Sequence, residues 1–209
     1  MKLRLSSAIL FTGALLTGGL AGATTLGNGM SGPPDILTET GTMVADTGVL
    51  TFSTSAFNGT YEVQVFRETS GMLDFLYQVH NSSSSSDSID RLTAANFTGW
   101  TTDVGYDPTY NMTGFSGTVK PDTVDRSSTG KTIGWNTIPP GLDPGHTSFV
   151  LQIDTNATTW QPGLFSLIDS RTFDGVGFQP GVPEPASLAL MGVGLLGLGF
   201  ARTRLSRKK

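Results

Sequence analysis

The chain has 209 residues, no cysteine and a formal net charge of −4. Without cysteine it cannot form disulfide bonds, a thiolate metal site or a thiol nucleophile, which excludes disulfide-stapled scaffolds and cysteine-dependent enzymes. Between residues 24 and 181 the charge is far more negative, because 6 basic side chains are outnumbered there by 16 acidic ones. Such an excess keeps a protein soluble and repels phosphate backbones, so no nucleic-acid partner is expected.

The N-terminus reads MKLRLSSAILFTGALLTGGLAGATT. Two early basic residues, an apolar stretch over residues 5–20 and small residues at Ala21 and Ala23 are typical of a secretory signal peptide. An uncleaved anchor is disfavoured, because about 16 moderately apolar residues are short for a bilayer core of about 30 Å. The sequence therefore predicts an exported protein from which signal peptidase removes residues 1–23.

The body, residues 24–180, has the periodicity of strands. Residues 24–48 are rich in Gly, Thr and Pro and predict a loop or an edge segment. In YEVQVFRE, Tyr61, Val63 and Val65 alternate with residues of the other face, and MLDFLYQVHN alternates in the same way over residues 72–81. The dipeptide Ser70-Gly71 lies between these runs, so the two predict a β-hairpin.

Further short segments fit the same pattern, and turn residues separate them. The candidate strands are residues 92–97, 101–106, 113–119, 131–135, 148–154, 163–168 and 172–178. No long helical stripe interrupts them, and the spacing is typical of a sandwich. We expect an all-β domain, an antiparallel β-sandwich, with a jelly-roll arrangement as one option and the strand order open. The serine run within residues 81–87 predicts a flexible loop.

Asparagine is concentrated in N-x-Ser/Thr triplets. Five of the seven Asn residues begin one: Asn58, Asn81, Asn96, Asn111 and Asn156. The triplet is a glycosylation acceptor pattern in exported proteins, but loops rich in Asn and Thr produce it as well. These five residues are candidate glycosylation sites, and ordinary loop composition is the favoured explanation.

Patterns that carry catalysis are absent from the sequence. It has no Gly-x-Ser-x-Gly elbow, no His-Glu-x-x-His and no phosphate-binding glycine loop, and its Gly-x-Gly-x-x-Gly stretches at residues 27–32 and 192–197 lack the strand-to-helix setting of a dinucleotide fingerprint. The two histidines, His80 and His146, have no nucleophile placed beside them by the sequence, and pairs of acids are too common in an acidic sandwich to indicate a glycosidase. We expect no catalytic residues and no enzymatic activity.

A cofactor is not expected either, with calcium as the weaker alternative. Four acids lie in or beside predicted loops, where a hard cation takes its oxygen ligands: Asp87, Asp90, Asp103 and Asp107. The sequence lacks an Asp-x-Asp-x-Asp loop, so a solvated acidic rim is favoured over a metal site.

The C-terminus combines three features in a fixed order. Val182, Pro183, Glu184 and Pro185 form an extended, accessible stretch, since each proline disfavours helix in the residue before it. Residues 186–200 are uncharged and span roughly 22 Å as a helix, and the five basic residues that follow form a stop-transfer cluster that keeps the C-terminus cytoplasmic. We expect residues 181–209 to be a separate unit made of a motif, a short transmembrane helix and a basic tail.

This arrangement resembles the PEP-CTERM sorting signal. The resemblance implies handling by a membrane-embedded exosortase in a Gram-negative bacterium that also makes extracellular polysaccharide. It implies a protein that is exported to the cell envelope or beyond, held in the inner membrane only for a time and only through its C-terminal segment. The stretches LDFLYQVHN and LQIDTNATTWQPGLFSLID also resemble bodies of other PEP-CTERM proteins, which implies a shared module and no activity.

The sequence favours two functions. The first is a non-catalytic cell-surface or extracellular-matrix protein, and the alternative is a carbohydrate-binding module acting on extracellular polysaccharide. The module would need exposed rings as stacking platforms, for which the candidates are Trp100, Tyr106, Tyr110, Trp135 and Trp160. Burial of these rings would favour the first function, and two or three coplanar rings on one open face would favour the second.

Overall fold

A computed structural model describes residues 25–137 and 141–181 as an all-β structure. Within these ranges there are thirteen strands and no α-helix. The strands are β1 Ser31–Gly32, β2 Asp35–Ile36, β3 Thr42–Asp46, β4 Leu50–Ser53, β5 Asn58–Arg67, β6 Leu73–Asn81, β7 Arg91–Ala95, β8 Thr102–Asp107, β9 Thr123–Arg126, β10 Thr132–Asn136, β11 Val150–Thr155, β12 Trp160–Ile168 and β13 Thr172–Pro180. The predicted all-β class is confirmed.

The strands form two sheets. Sheet one has the order β2-β8-β11-β6-β5-β3. On the edge of β5 that pairs with β3, β4 pairs with the first half of β5 and β3 with the second half. Sheet two has the order β1-β9-β10-β7-β12-β13. All the named pairs are antiparallel except β2 with β8. The segment before β3 contributes one short strand to each sheet, which agrees with the edge role expected for residues 24–48.

The main core lies between the two sheets. Tyr61 of β5 meets Phe165 of β12 with ring centroids 4.6 Å apart, and Tyr77 of β6 lies 5.6 Å from Trp135 of β10. The indole N–H of Trp135 donates to the carbonyl oxygen of Gly105 on β8 at 2.9 Å, so a polar bond also crosses the core. Sheet-on-sheet contact of this kind is what a β-sandwich requires.

Most of the predicted strands are present, and two sequence-based expectations need correction. Residues 113–119 are not a strand, because Phe115 packs against the outer face of sheet one and only Val119 makes an isolated bridge. The serine run is a loop, as predicted, but hydrogen bonds tie it to the segment before and at the start of β5. The Ser85 hydroxyl donates to the carbonyl oxygen of Asn58, and the Ser86 N–H donates to the carbonyl oxygen of Ala56.

Candidate functional site

A short segment, residues 37–41, crosses the outer face of sheet one, and we call it the strap. It begins where the backbone N–H of Leu37 donates to the Tyr106 carbonyl oxygen on β8, and its Glu39 N–H donates to Oδ2 of Asp107 at 2.9 Å. It ends beside Arg67 at the other side of the sheet, where β3 begins. The strap therefore passes over β11 and β6, which lie between β8 and β5.

Beneath the strap, three acids lie in a row across neighbouring strands. Asp154 of β11 stands directly opposite Asp103 on β8 and directly opposite Asp74 on β6. Like charges in directly opposite positions destabilise a sheet. Asp74 is only 3% exposed, so water cannot screen its charge. The sheet therefore tolerates this row only if protons or a cation neutralise it.

Two more carboxylates reach this row from above. Glu39 of the strap, Glu68 of the β5–β6 turn and Asp74 each place one carboxylate oxygen within 4.8 Å of the others. The Thr40 hydroxyl donates to both oxygens of Glu68, at 3.2 and 3.0 Å, and the Gly41 N–H donates to Oε1 of Glu39. We call Glu39, Glu68, Asp74 and Asp154 the acidic cluster.

Basic side chains do not compensate the acidic cluster in the described part of the chain. The ion pair found there joins Arg91 to Asp125 on sheet two. Arg67, next in sequence to Glu68, instead donates to the carbonyl oxygens of Gly71 and Thr158, both at 3.0 Å.

The pKa values of Glu39, Asp74 and Asp154 are raised. Burial raises the pKa of Glu39 to about 7, and the charges of Glu68 and Asp154 add to the rise against the Gly41 hydrogen bond. Burial is also the main cause that raises the pKa of Asp74 and of Asp154, followed for Asp74 by the charge of Asp154. Burial and the neighbouring Asp35 raise the pKa of Asp103 in the same way.

An amide beside the cluster has an unused acceptor. Gln152 of β11 is fully buried, and its Nε2 donates to Oδ1 of Asp154 at 2.7 Å. Its Oε1 is buried and has no hydrogen-bond partner in the described structure. Because Oε1 and Nε2 share one carbon, Oε1 lies within about 5 Å of that Asp154 oxygen. An unpaired buried acceptor costs about 1–3 kcal/mol, which makes this oxygen a candidate ligand.

The four acids suggested by the sequence for calcium are not brought together. The Asp107 carboxylate is occupied by the N–H of Thr109, Tyr110 and Glu39 and by the Thr109 hydroxyl. Asp87 and Asp90 precede β7 in sheet two and accept from serine hydroxyls. Asp103 stands directly opposite Asp154 of the acidic cluster, and Asp107 contacts the cluster through the Glu39 N–H. Sequence reasoning missed the acidic cluster because its members come from three separate stretches of chain, the strap, the β5–β6 hairpin and β11, and no spacing within one stretch indicates them.

The asparagine triplets differ in accessibility. Asn96, Asn111 and Asn156 are exposed and Asn58 is half-buried. Asn81 is fully buried, and its Nδ2 donates to the carbonyl oxygens of Asp87 and Leu142. This environment leaves no room for a glycan on Asn81 in the folded protein.

The two histidines lie apart from the acidic cluster. His80, at the end of β6, has its Nδ1 2.9 Å from the Thr147 hydroxyl, and the two residues also form an isolated β-bridge. His146 is exposed in the loop before β11. The His80–Thr147 contact joins this loop to the sheet.

The candidate stacking rings are spread over different environments. Trp135 is 1% and Tyr106 9% exposed, and Trp100 and Tyr110 are half-buried. Tyr110, in the loop of residues 107–117, packs edge-on against Phe66 on the outer face of sheet one. Trp160 is 36% exposed and stands edge-on to Phe178. Two of the five rings are therefore core residues.

The body ends where the C-terminal unit begins. The last strand, β13, reaches Pro180, and the next residue, Gly181, is buried and donates its N–H to the Thr159 carbonyl oxygen at 2.7 Å. Residues 181–204 match the family model of the PEP-CTERM protein-sorting motif. The chain carries a PEP-CTERM sorting motif. This confirms the resemblance, and the motif implies exosortase-dependent sorting of an exported protein to the cell envelope or outside the cell.

Other comparisons add nothing to the PEP-CTERM match. No curated protein and no solved structure matched the chain significantly. Among the described residues no helix is long and apolar enough to cross a membrane. The predicted signal peptide with Ala21 and Ala23, and the motif residues Val182, Pro183, Glu184 and Pro185, lie outside the described residues.

Proposed function

We propose that this chain is a non-catalytic protein of the cell surface or extracellular matrix, cleaved by an exosortase at Val182-Pro183-Glu184-Pro185. Signal peptidase removes residues 1–23 during export, and the C-terminal segment anchors the precursor in the inner membrane until cleavage. The match of residues 181–204 to the sorting motif is the observation that carries the proposal.

The body supports a structural role over sugar binding. A carbohydrate module needs exposed rings that share one open face. Trp135 and Tyr106 instead fill the core, and Trp160 stands edge-on to Phe178 rather than extending a flat platform. Extracellular polysaccharide remains a partner of the proposed matrix protein through contacts other than a stacking platform.

The intact mass of the protein, purified separately from the envelope and the medium of producing cells, tests the processing. We expect a mass that lacks residues 1–23 and everything beyond about residue 185, and excess mass would report glycans on the exposed asparagines. A mature protein that still contains Lys209 would contradict exosortase cleavage.

A pair of proline variants tests where cleavage is directed. Pro183→Ala with Pro185→Ala removes the restriction to extended backbone, so we expect the full C-terminus to persist in the membrane fraction. Pro33→Ala with Pro34→Ala is the matched control, since these residues lie in the body between β1 and β2. Equal processing of both variants would contradict recognition of the motif.

Sedimentation with purified extracellular polysaccharide separates the two functions. The matrix proposal predicts that Trp160→Ala leaves any association unchanged. Loss of association in Trp160→Ala would establish the carbohydrate-binding module in its place.

A further inference from the structure

We infer that the outer face of sheet one holds a calcium ion under the strap, with ligands from Glu39, Glu68, Asp74, Asp154 and Gln152. The ion would fasten the strap and the β5–β6 turn to β6 and β11. This site is independent of the sorting motif and differs from the four acids that the sequence suggested.

The spacing of the carboxylates suits one hard cation. Calcium binds oxygen at 2.3–2.6 Å, so two oxygens on the same ion are no more than about 5 Å apart. One oxygen from each of Glu39, Glu68 and Asp74 lies within 4.8 Å of the other two. Asp154 is not one of these three, but it stands directly opposite Asp74 on the next strand and its carboxyl interacts with that of Asp74.

Gln152 points to a ligand independently of the acids. It is fully buried, and its amide is held against Asp154 by the 2.7 Å bond from Nε2. Its Oε1 is left without a hydrogen-bond partner next to the cluster. Amide oxygens are ordinary calcium ligands, so a bound ion would satisfy this unpaired acceptor as well as Glu39 Oε2, which is also buried without a partner.

Charge explains why the fold needs such an ion. Asp74 is 3% exposed and its neighbours in the cluster are other acids. Buried carboxylates without a counter-ion are costly, so in the absence of a cation the cluster must hold protons. At neutral pH outside the cell a divalent cation supplies the missing positive charge. Calcium is favoured over magnesium, because magnesium usually keeps several waters and is seldom enclosed by protein ligands alone.

Calorimetric titration and thermal melting of the exported protein test the site. The protein, purified from producing cells and freed of metal with a chelator, is titrated with CaCl₂ at pH 7.5 up to about 10 mM, a range that covers extracellular calcium modules. We expect saturable binding and a rise of at least about 5 °C in Tm at saturation. Magnesium at the same concentration should give a smaller shift.

Two variants locate the ion and a control excludes general charge effects. Asp74→Asn and Glu68→Gln should each weaken calcium binding at least about tenfold. Glu68 is half-buried in a turn, so its variant reports on binding even if Asp74→Asn fails to fold. The double variant Asp87→Asn with Asp90→Asn removes two acids elsewhere and should bind calcium like the wild type.

Two outcomes would overturn the inference. One is that CaCl₂ produces neither binding heat nor a Tm shift in the wild type. The acidic cluster would then be a set of carboxyl groups that share protons and bind no ion. The other is loss of binding in the Asp87/Asp90 variant with normal binding in Glu68→Gln, which would move the site to the other acids. Neither outcome depends on whether the C-terminus is cleaved.

Discussion

On its inner face sheet one packs against sheet two through apolar side chains such as Phe75 and Tyr77, whereas its outer face is covered by the strap and by residues 107–117. The outer face holds a small apolar cluster of Phe66, Leu76 and Met112 with Val150, beside buried Glu62, Gln64, Gln78 and Gln152. A facing sheet offers few hydrogen-bonding groups, because strand pairing already uses most of its backbone N–H and C=O groups. A covering loop offers more, since the Met112 N–H donates to Gln78 Oε1 at 2.8 Å. Loops can thus bury polar and acidic residues that a facing sheet would exclude.

The largest expected effect compares two leucines of β6 on opposite faces. Leu73 and Leu76 are both 0% exposed, the first in the main core and the second in the outer cluster. We expect Leu73→Ala to lower the free energy of unfolding by about 4 kcal/mol and Leu76→Ala by about 2–3 kcal/mol, because loops collapse into a cavity more readily than a packed sheet does. Urea unfolding measures both. An equal or larger loss in Leu76→Ala would show that the loop layer is as rigid as a sheet.

The next effect is the pH dependence of stability without divalent cations. The pKa of Glu39 is raised from 4.5 to about 7, so the folded state holds this proton more tightly than the unfolded state. The resulting stability is present below about pH 4.5 and is lost as the pH rises through about 7. Asp74 and Asp154 act in the same direction. We therefore expect Tm to rise when the pH is lowered from about 8 to about 5.

Glu39→Gln provides the control for this pH effect. It keeps the size of the side chain and removes its titration, so its Tm should depend less on pH over that range. The lowered pKa values of Asp107 and Asp125 reverse the trend only at more acidic pH, where those carboxylates lose their hydrogen-bonded charge. A wild-type Tm that falls between pH 8 and pH 5 would contradict a buried, uncompensated cluster.

The smallest effect concerns the outer face of sheet two. Leu164 of β12 is 55% exposed and stands opposite Val176 of β13, which is 56% exposed. We expect Leu164→Ala to change the free energy of unfolding by no more than about 0.5 kcal/mol. Leu76→Ala makes the same substitution on the covered outer face of sheet one, where the expected loss is larger. A loss above about 1 kcal/mol at Leu164 would reveal that something covers this face as well.

Sequence periodicity predicted the inner face of sheet one well. The alternation of Tyr61, Val63 and Val65 identified core residues, and the hairpin with residues 72–81 has the expected turn. The same alternation assigned Glu62 and Gln64 to the opposite face but did not reveal that this face is buried too. Its cover comes from segments more than twenty residues away along the chain, a distance over which local periodicity carries no information.

The missed and mistaken elements have a related cause. The four residues of β9, Thr123–Arg126, are too short and polar to show a period. Residues 113–119 looked like a strand because apolar Phe115 and Val119 fall on the same face of a strand pattern, but both are only half-buried, by packing, and Val119 makes no more than an isolated bridge. The acidic cluster depends on the register of β11 between β6 and β8, which puts Asp154 between Asp74 and Asp103. That register follows from the strand order, which the sequence left open.

The junction at Pro180 restricts how the precursor can meet the membrane. Gly181 is already tied to Thr159 by hydrogen bonds of 2.7 and 3.1 Å, so the sorting motif starts without a linker. Four residues, 182–185, separate Gly181 from the apolar segment that begins at residue 186. Even fully extended, these four residues reach only about 13 Å. Under the proposed anchoring by the C-terminal segment, the folded body would therefore stand close to the lipid headgroups with the Trp160 end of β12 toward them. Residues inserted after Gly181 would let the body stand farther from the membrane.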